Sequence, residues 1–434
     1  MIREGFNMAS ITLLSIGVFL VSAIYLVFCL IMPKIFLKFH GNPLKRKKFL
    51  KVYSCYLALL VVTSIILYVN QSEIHETDSA VSDTHHEEAS KDLIDKEIGA
   101  AKAKEEAENK LVEAENNAKE ELEKQAMESN LAYINVAVAT LWSEPGKTRT
   151  IDSLSAQNPV DLWKWTTSMS LDQRKWLVGK LETQALFGQT VTVLEEQGDW
   201  ANVAVHGQPT PKSELGYVAW MPKIQLIANH EFKTVKEQNA LAIIKKPTSW
   251  LYDDEQLQVK FMEVSYNTRL PVLSQKAVAT QIATPTNGDK WISTEEIAVF
   301  QSEQDIPKPT GETLVQSGEQ FLALPYLWAG TSGFGFDCSG FTYTIYHANG
   351  ITIPRDSSVQ ATHGTAVNKD DLKKGDLLFF AYERGKGSVH HVGMYIGSGK
   401  MIHAPNPASN VEIIDVFESE HWSSEYAGAR RYLD

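Results

Sequence analysis

Between Gln71 and Asn130 the chain carries no aromatic residue, and its charged side chains number 18 acidic against seven basic. Such a segment buries too little apolar surface to offset the entropy of ordering it, so it cannot make a packed core. It therefore divides the 434-residue chain, and anything globular must lie beyond it. Its second half, Ser90 to Met127, is rich in Ala, Glu and Lys, with Ile94, Ile98, Ala101, Leu111, Ala114, Ala118 and Leu122 near helical spacing. That pattern predicts a helical stalk. A stripe made largely of Ala suits a solvated spacer, and it also allows a short coiled coil that would make the protein a homodimer.

The residues before this divide are apolar. Met8 to Met32 runs for 25 residues without a charge and Val52 to Val69 for 18. Each is long enough to cross a hydrocarbon core of roughly 30 Å at about 1.5 Å per residue. Between them, Lys34 to Lys51 supplies seven positive charges, and the positive-inside bias places that loop in the cytoplasm. Residues 8–32 and 52–69 are thus expected to form a transmembrane helical hairpin, with everything after Asn70 on the outer face of the cell membrane. A cleaved signal peptide fits less well, because the first apolar run is too long and lacks a small-residue cleavage site.

The whole chain has a formal charge of −12 although residues 1–70 carry eight Lys and Arg against one Glu. The acidic remainder excludes nucleic acid as a partner, since phosphate affinity needs basic patches. Cys29 and Cys55 lie in the apolar runs, which leaves Cys338 as the one thiol of the outer part and allows no disulfide framework. After Leu131 the pattern turns to short strands. Val191, Val193 and Leu194 lead into the turn Gln197-Gly198-Asp199, and Trp200, Val203 and Val205 return as a hairpin. Gly216 to Trp220 is a further strand, while Trp163, Leu171, Trp176 and Leu177 interrupt with helical spacing. A second β-rich stretch spans Leu241 to Phe300, with strands at Val259 to Val264 and Lys290 to Ile292. Short strands broken by Gly, Pro, Asn and Asp point to two small barrels. Ile306-Pro307-Lys308-Pro309 reads as a linker.

The chemistry is concentrated in the last 120 or so residues. Gly333 to Gly340 reads Gly-Phe-Gly-Phe-Asp-Cys-Ser-Gly, and Phe341 to Tyr346 can continue it as a helix. A Cys at a helix N-terminus meets unpaired amides and the positive end of the dipole, which favours thiolate. The bland alternative is a small buried hydrophobe. Val389 to Ile396 and Met401 to His403 read as paired strands around Gly397-Ser398-Gly399. In that hairpin His391 and His403 lie diagonally on one face and His390 points to the other. One imidazole then takes the thiol proton and the second orients the first. The competing reading is a zinc site, against which stand a single thiol and the lack of an Asp/Glu–His helical motif.

Cys338 in Phe-Asp-Cys-Ser-Gly-Phe, His391 in His-Val-Gly-Met-Tyr-Ile-Gly, His403 in Met-Ile-His-Ala-Pro, and Leu372 to Phe379 between them resemble the NlpC-type cell-wall cysteine peptidases. The resemblance covers Gly311 to Asp434 and implies a reduced papain-like α+β domain. It implies Cys338 as nucleophile, His391 as general base and then acid, and His403 as the residue that holds the imidazole, with the backbone amide of Cys338 at the oxyanion. No cofactor and no metal is implied. With two SH3-like modules upstream, the chain is similar to the YkfC-type γ-D-glutamyl-L-diamino acid endopeptidases, or dipeptidyl-peptidases VI. In that group the first module closes one end of the cleft and selects stem peptides with a free N-terminal L-Ala. By that likeness Glu182, Tyr217, Tyr326, Asp337, Ser339, Asp356 and Ser357 are substrate-binding residues. Glu182 and Asp356 suit an α-ammonium. Read without the resemblance, Glu182 is a solvated strand charge, Tyr217 a barrel residue with its hydroxyl at the rim, and Asp337 a helix cap.

The expected organisation is multidomain: residues 1–70 as two membrane helices with a basic loop, 71–130 as acidic linker and stalk, 131–230 and 231–305 as bacterial SH3-like β-barrels, and 306–434 as the NlpC-type domain. The first carries a helical insertion. The implied substrates are peptidoglycan stem peptides cut at the γ-D-Glu–diamino-acid bond. Membrane spans depart from the simpler start expected of such enzymes. That departure keeps two alternatives in view, an endopeptidase of intact wall anchored by its SH3-like modules and a non-catalytic scaffold of an envelope apparatus.

Overall fold

The computed structural model describes residues 130–434, together with several helical, exposed residues between Asn109 and Lys119. The membrane hairpin at 8–32 and 52–69 and most of the stalk lie outside the described residues. Among the described residues no helix is long and apolar enough to cross a membrane.

From Leu131 to Ile227 the chain forms a seven-stranded antiparallel sheet. Thr190–Gln197 and Trp200–Val205 are the hairpin read from the sequence, with Val191 opposite Val205 and Gln197 opposite Trp200. The turn is tighter than the sequence reading had it: Gly198 and Asp199 alone span it, and Gly198 takes φ +57°, a conformation glycine adopts freely. Alternation puts Val191, Val203 and Val205 in the core with Ala139, Leu141 and Met221. The helical stretch resolves into Leu162–Ser168, capped by Asp161, and Leu171–Trp176, capped by Ser170. Of the residues read as its apolar stripe, Leu177 is buried while Trp163 and Trp176 are exposed, and Leu162 and Trp165 join Leu177 in the core. Trp165 goes inside because its Nε1–H donates to the buried Asp152 carboxylate at 2.9 Å.

Leu241 to Phe300 forms a second seven-stranded antiparallel sheet, which includes Lys260–Ser265 and Lys290–Ser293. Tyr133, Phe187 and Phe232 pack into its core alongside Ile244, Leu251 and Ile292. The two sheets therefore share apolar surface. After the 3-10 turn Glu303–Asp305, helix Gly311–Glu319 opens the last part.

That last part is a six-stranded antiparallel sheet in the order 365–367, 426–431, 377–381, 389–397, 400–403, 412–415. Its third strand, Leu377–Ala381, is buried at every residue, as a strand covered on both faces must be. Helix Cys338–Ala348 lies against Val389–Gly397, with Phe341 and Ile345 packed among Phe336, Met394 and Ile402.

The first sheet is fastened to this part by directed bonds. Gln184 Oε1 accepts from Thr331 N at 3.0 Å and from Ser332 Oγ at 2.8 Å, Trp328 Nε1 donates to Leu181 O at 2.9 Å, and Tyr343 Oη donates to Gly207 O at 2.8 Å. The second sheet reaches the same loop, where Gly333 N donates to Ser265 Oγ at 2.8 Å. A Cβ on Gly333 would meet Pro247 O at 1.9 Å, so only glycine allows that approach.

Candidate active site

The segment before Cys338 is a two-rung ladder, Thr331–Ser332 with Gly335–Phe336. Asp337 then caps the helix that Cys338 begins, accepting from Gly340 N at 2.6 Å. A Cβ on Gly340 would lie 1.9 Å from Gly330 O, so this first turn can pass the loop only as glycine. Cys338 is half-buried and opens onto a cleft of about 790 Å³.

His391 is the third residue of its strand and His403 the last of the next. Met394 pairs with Ile402, which sets His403 opposite Gly393 and two residues along from His391. Their rings meet at 2.8 Å between His391 Nε2 and His403 Nδ1, and both are buried. His390 faces away, with Nε2 3.1 Å from Glu425 and its ring stacked on Tyr382. Trp422 lies against both inner imidazoles, its ring centre 4.6 Å from His391 and 5.0 Å from His403. Two neutral imidazoles in contact must share one hydrogen. Assigned from this network, His391 Nε2–H donates to His403 Nδ1, which leaves His391 Nδ1 as a lone pair and puts the other hydrogen on His403 Nε2.

The electrostatics differ from the expectation of a thiolate at a helix start. Burial, and then the Asp337 carboxylate, push the Cys338 thiol up to about 12, against backbone hydrogen bonds from Val392 and Ser339 that favour the anion. Burial, and then His403, His390 and His421, hold His391 well below the ordinary histidine value. Burial takes His403 down to about 3. Both shifts favour the neutral thiol and the neutral imidazole over the charged forms. The helix-end effect is worth typically less than 1 kcal/mol at ordinary sites, and desolvation together with the capping carboxylate outweighs it.

The other sequence-predicted residues line the same cleft: Glu182, Tyr217, Tyr326, Asp337, Ser339, Asp356 and Ser357. Tyr217, 5% exposed, places its hydroxyl 3.1 Å from both Asp356 oxygens and 3.3 Å from Glu182 Oε2. Burial, and then Asp356, raise the Tyr217 phenol, which keeps its proton to donate. None of the lining residues is Lys or Arg. Among the described residues no group of three or more His, Cys, Asp or Glu is arranged to hold a metal ion.

Three comparisons bear on this site. Residues 323–431 match the NlpC/P60 family model, and residues 244–300 match the YKFC SH3b2 domain. A gamma-D-glutamyl-L-lysine dipeptidyl-peptidase of Bacillus cereus is 54% identical over 304 residues, 70% of this chain and 91% of that protein. The chain belongs to the NlpC/P60 family. A second gamma-D-glutamyl-L-lysine dipeptidyl-peptidase, from Bacillus subtilis, is 42% identical over 68% of this chain and 96% of its own. The crystal structure of an NlpC/P60 family protein from Bacillus cereus superposes with a TM-score of 0.67 at 53% identity, covering 70% of this chain and all of that one.

As an NlpC/P60 cysteine peptidase with an SH3b domain before its α+β part, the chain also carries neighbours of the site that sequence reasoning missed. Arg355, 1% exposed, donates to Asp337 Oδ2 at 2.8 Å, Ser339 Oγ at 2.9 Å and Thr183 Oγ1 at 3.2 Å. It holds the cap of the Cys338 helix and the first sheet with one guanidinium. Asp337 is thus a helix cap and half of an ion pair at once. The only sequence signal for Arg355 was its place beside Asp356. Trp422 and Glu412 carried no signal, being 31 and 21 residues from His391 in the chain.

Proposed function

We propose that this NlpC/P60 peptidase hydrolyses the γ-D-glutamyl–diamino-acid bond of peptidoglycan stem peptides whose N-terminal L-Ala is free. The observation that carries this reading is the cluster of Glu182, Tyr217 and Asp356 in the same cleft as Cys338. Two carboxylates with one phenol, and no Lys or Arg lining the cleft, form a site for an ammonium, since the neighbouring buried cation, Arg355, is bonded to Asp337. A glycan-linked or acylated terminus brings no charge there and leaves the carboxylates desolvated without a partner. The names of the two Bacillus relatives support the same bond.

In this reading Cys338 is the nucleophile. As Sγ attacks the γ-carbonyl carbon of D-Glu, its proton passes to His391 Nδ1, so the high thiol pKa is overcome during attack rather than before it. The backbone N–H of Cys338 donates to the oxyanion. Collapse expels the α-amine of the diamino acid, which takes the proton from His391 and leaves a thioester. Water, deprotonated by His391, then attacks the thioester, releases L-Ala-D-Glu and returns the proton to sulfur. Tyr326, Ser339 and Ser357 line the approach of the dipeptide. The apolar runs at 8–32 and 52–69 with their basic loop support a two-span membrane anchor holding the peptidase on the wall side.

The test is mass spectrometry of products from L-Ala-γ-D-Glu-L-Lys and its N-acetylated analogue, using wild type and Cys338→Ala. The reading expects L-Ala-D-Glu from the free peptide with wild type alone. Equal cleavage of both peptides discards the ammonium site, and cleavage by Cys338→Ala discards the nucleophile.

A further inference from the structure

We infer that Glu412 is a positioning residue, which holds the Nε2–H of His403 and, through His403, the orientation and developing charge of His391. The inference rests on the reading of Cys338 and His391 as the reacting pair. It begins from an orphan. His403 is fully buried, and its Nε2 has no hydrogen-bond partner. A buried polar atom without a partner is destabilising, and such atoms in folded proteins mark strain or function. In the tautomer that leaves His391 Nδ1 free to take the thiol proton, His391 Nε2–H donates to His403 Nδ1 at 2.8 Å, the hydrogen of neutral His403 is on Nε2, and the orphan is a donor.

One carboxylate faces it. Glu412, on the edge strand 412–415, pairs directly with His403 on the strand next to it, and its Oε1 lies 3.6 Å from Nε2. That is longer than a hydrogen bond, and catalytic bonds commonly tighten only when substrate is bound. Glu412 can move to close the gap, since its side chain is 48% exposed and lines the cleft. A bound peptide displaces water from that wall and strengthens whatever charge interaction remains there. The other carboxylate beside Cys338 is unavailable, because Asp337 is taken up by Arg355.

The row then reads Cys338, His391, His403, Glu412. When His391 accepts the thiol proton, the nascent imidazolium is linked through a neutral His403 to the Glu412 carboxylate, once that side chain has closed on Nε2. Burial, which takes His403 down to about 3, keeps it neutral in this role. The groups that face this pair from neighbouring elements are His390 and His421, which oppose a charge on His391, and Trp422, which excludes water from both rings. Among the described residues, Glu412 is the carboxylate that faces His403.

The experiment uses full-length protein and two peptides, L-Ala-γ-D-Glu-L-Lys and the same peptide with norleucine for lysine, which lacks the side-chain ammonium. Glu412→Gln should lower kcat about tenfold with KM little changed, equally for both peptides, as loss of one charge-assisted hydrogen bond to the transition state predicts. Glu412→Asp should recover part of the loss. In a His403→Gln background, Glu412→Gln should add nothing further. Unchanged kcat in Glu412→Gln overturns the inference, and so does a loss additive with His403→Gln. A rise in KM confined to the lysine peptide overturns it too, and makes Glu412 a receiver of the leaving residue's ammonium. Retained activity in Cys338→Ala, or no activity in wild type, counts against the underlying reading of the reacting pair and is seen separately.

Discussion

Replacing Arg355 by Met in the full-length protein should be severely destabilising, for a reason readable from its contacts. The guanidinium is 1% exposed and Asp337 7% exposed. Arg355 makes two bonds to Asp337, at 2.8 and 3.2 Å, and one each to Ser339 and Thr183. Methionine fills much of the volume but leaves the Asp337 charge buried without a partner, and breaking one side of a buried pair costs about 3–5 kcal/mol. For a folded region of this size that corresponds to a fall in Tm of roughly 5–8 °C. Thermal unfolding followed by circular dichroism reads the shift, and denaturant unfolding reads the free energy. Arg355→Lys should be intermediate, because a lysine keeps the charge without the planar fork. The double variant Asp337→Asn with Arg355→Met should be more stable than Arg355→Met alone, since no charge is then orphaned. Losing less than about 1 kcal/mol in Arg355→Met, or finding the double variant worse than the single, would refute the assignment of Arg355 as partner of the buried cap. Activity should fall as well, because Arg355 is one of the groups that favour the Cys338 thiolate.

Two other outcomes follow from the buried histidines. His403 and His391 have folded pKa values below the ordinary 6.5. Between pH 6.5 and about 3 the unfolded chain therefore binds protons that folded His403 does not, and stability should fall with pH by about 1.4 kcal/mol per unit for each such histidine. Urea unfolding at pH 7.5, 6 and 5 checks this, and a flat profile would contradict the neutral pair. Trp422→Ala should admit water to both rings and raise their pKa values toward 6.5, which moves the acid limb of the pH–rate profile to higher pH. An acid limb that stays in place would show that other groups exclude the solvent.

Local rules account for much of this chain. Period-two alternation is enough to put His391 and His403 on one face of a hairpin and His390 on the other, because a strand admits no third choice, and the rings are 2.8 Å apart. Glycine spacing and the apolar run after Cys338 are enough to begin a helix there, and the turn at Gly198 is equally local. The aromatic-free stretch likewise bounds where a core can form. What the tertiary structure decided are matters of burial and of distance along the chain. Trp163 and Trp165 lie on opposite faces of one helix, and spacing alone does not say which face turns inward, where Trp165 meets the buried Asp152. Tyr217 meets Glu182 and Asp356 across 35 and 139 residues, and Arg355 reaches Thr183 across 172, separations that no window of sequence contains. The sign of the Cys338 shift was decided the same way. A helix start argues for thiolate, but the penalty of desolvation depends on every atom packed around the sulfur, and only the folded chain supplies those atoms.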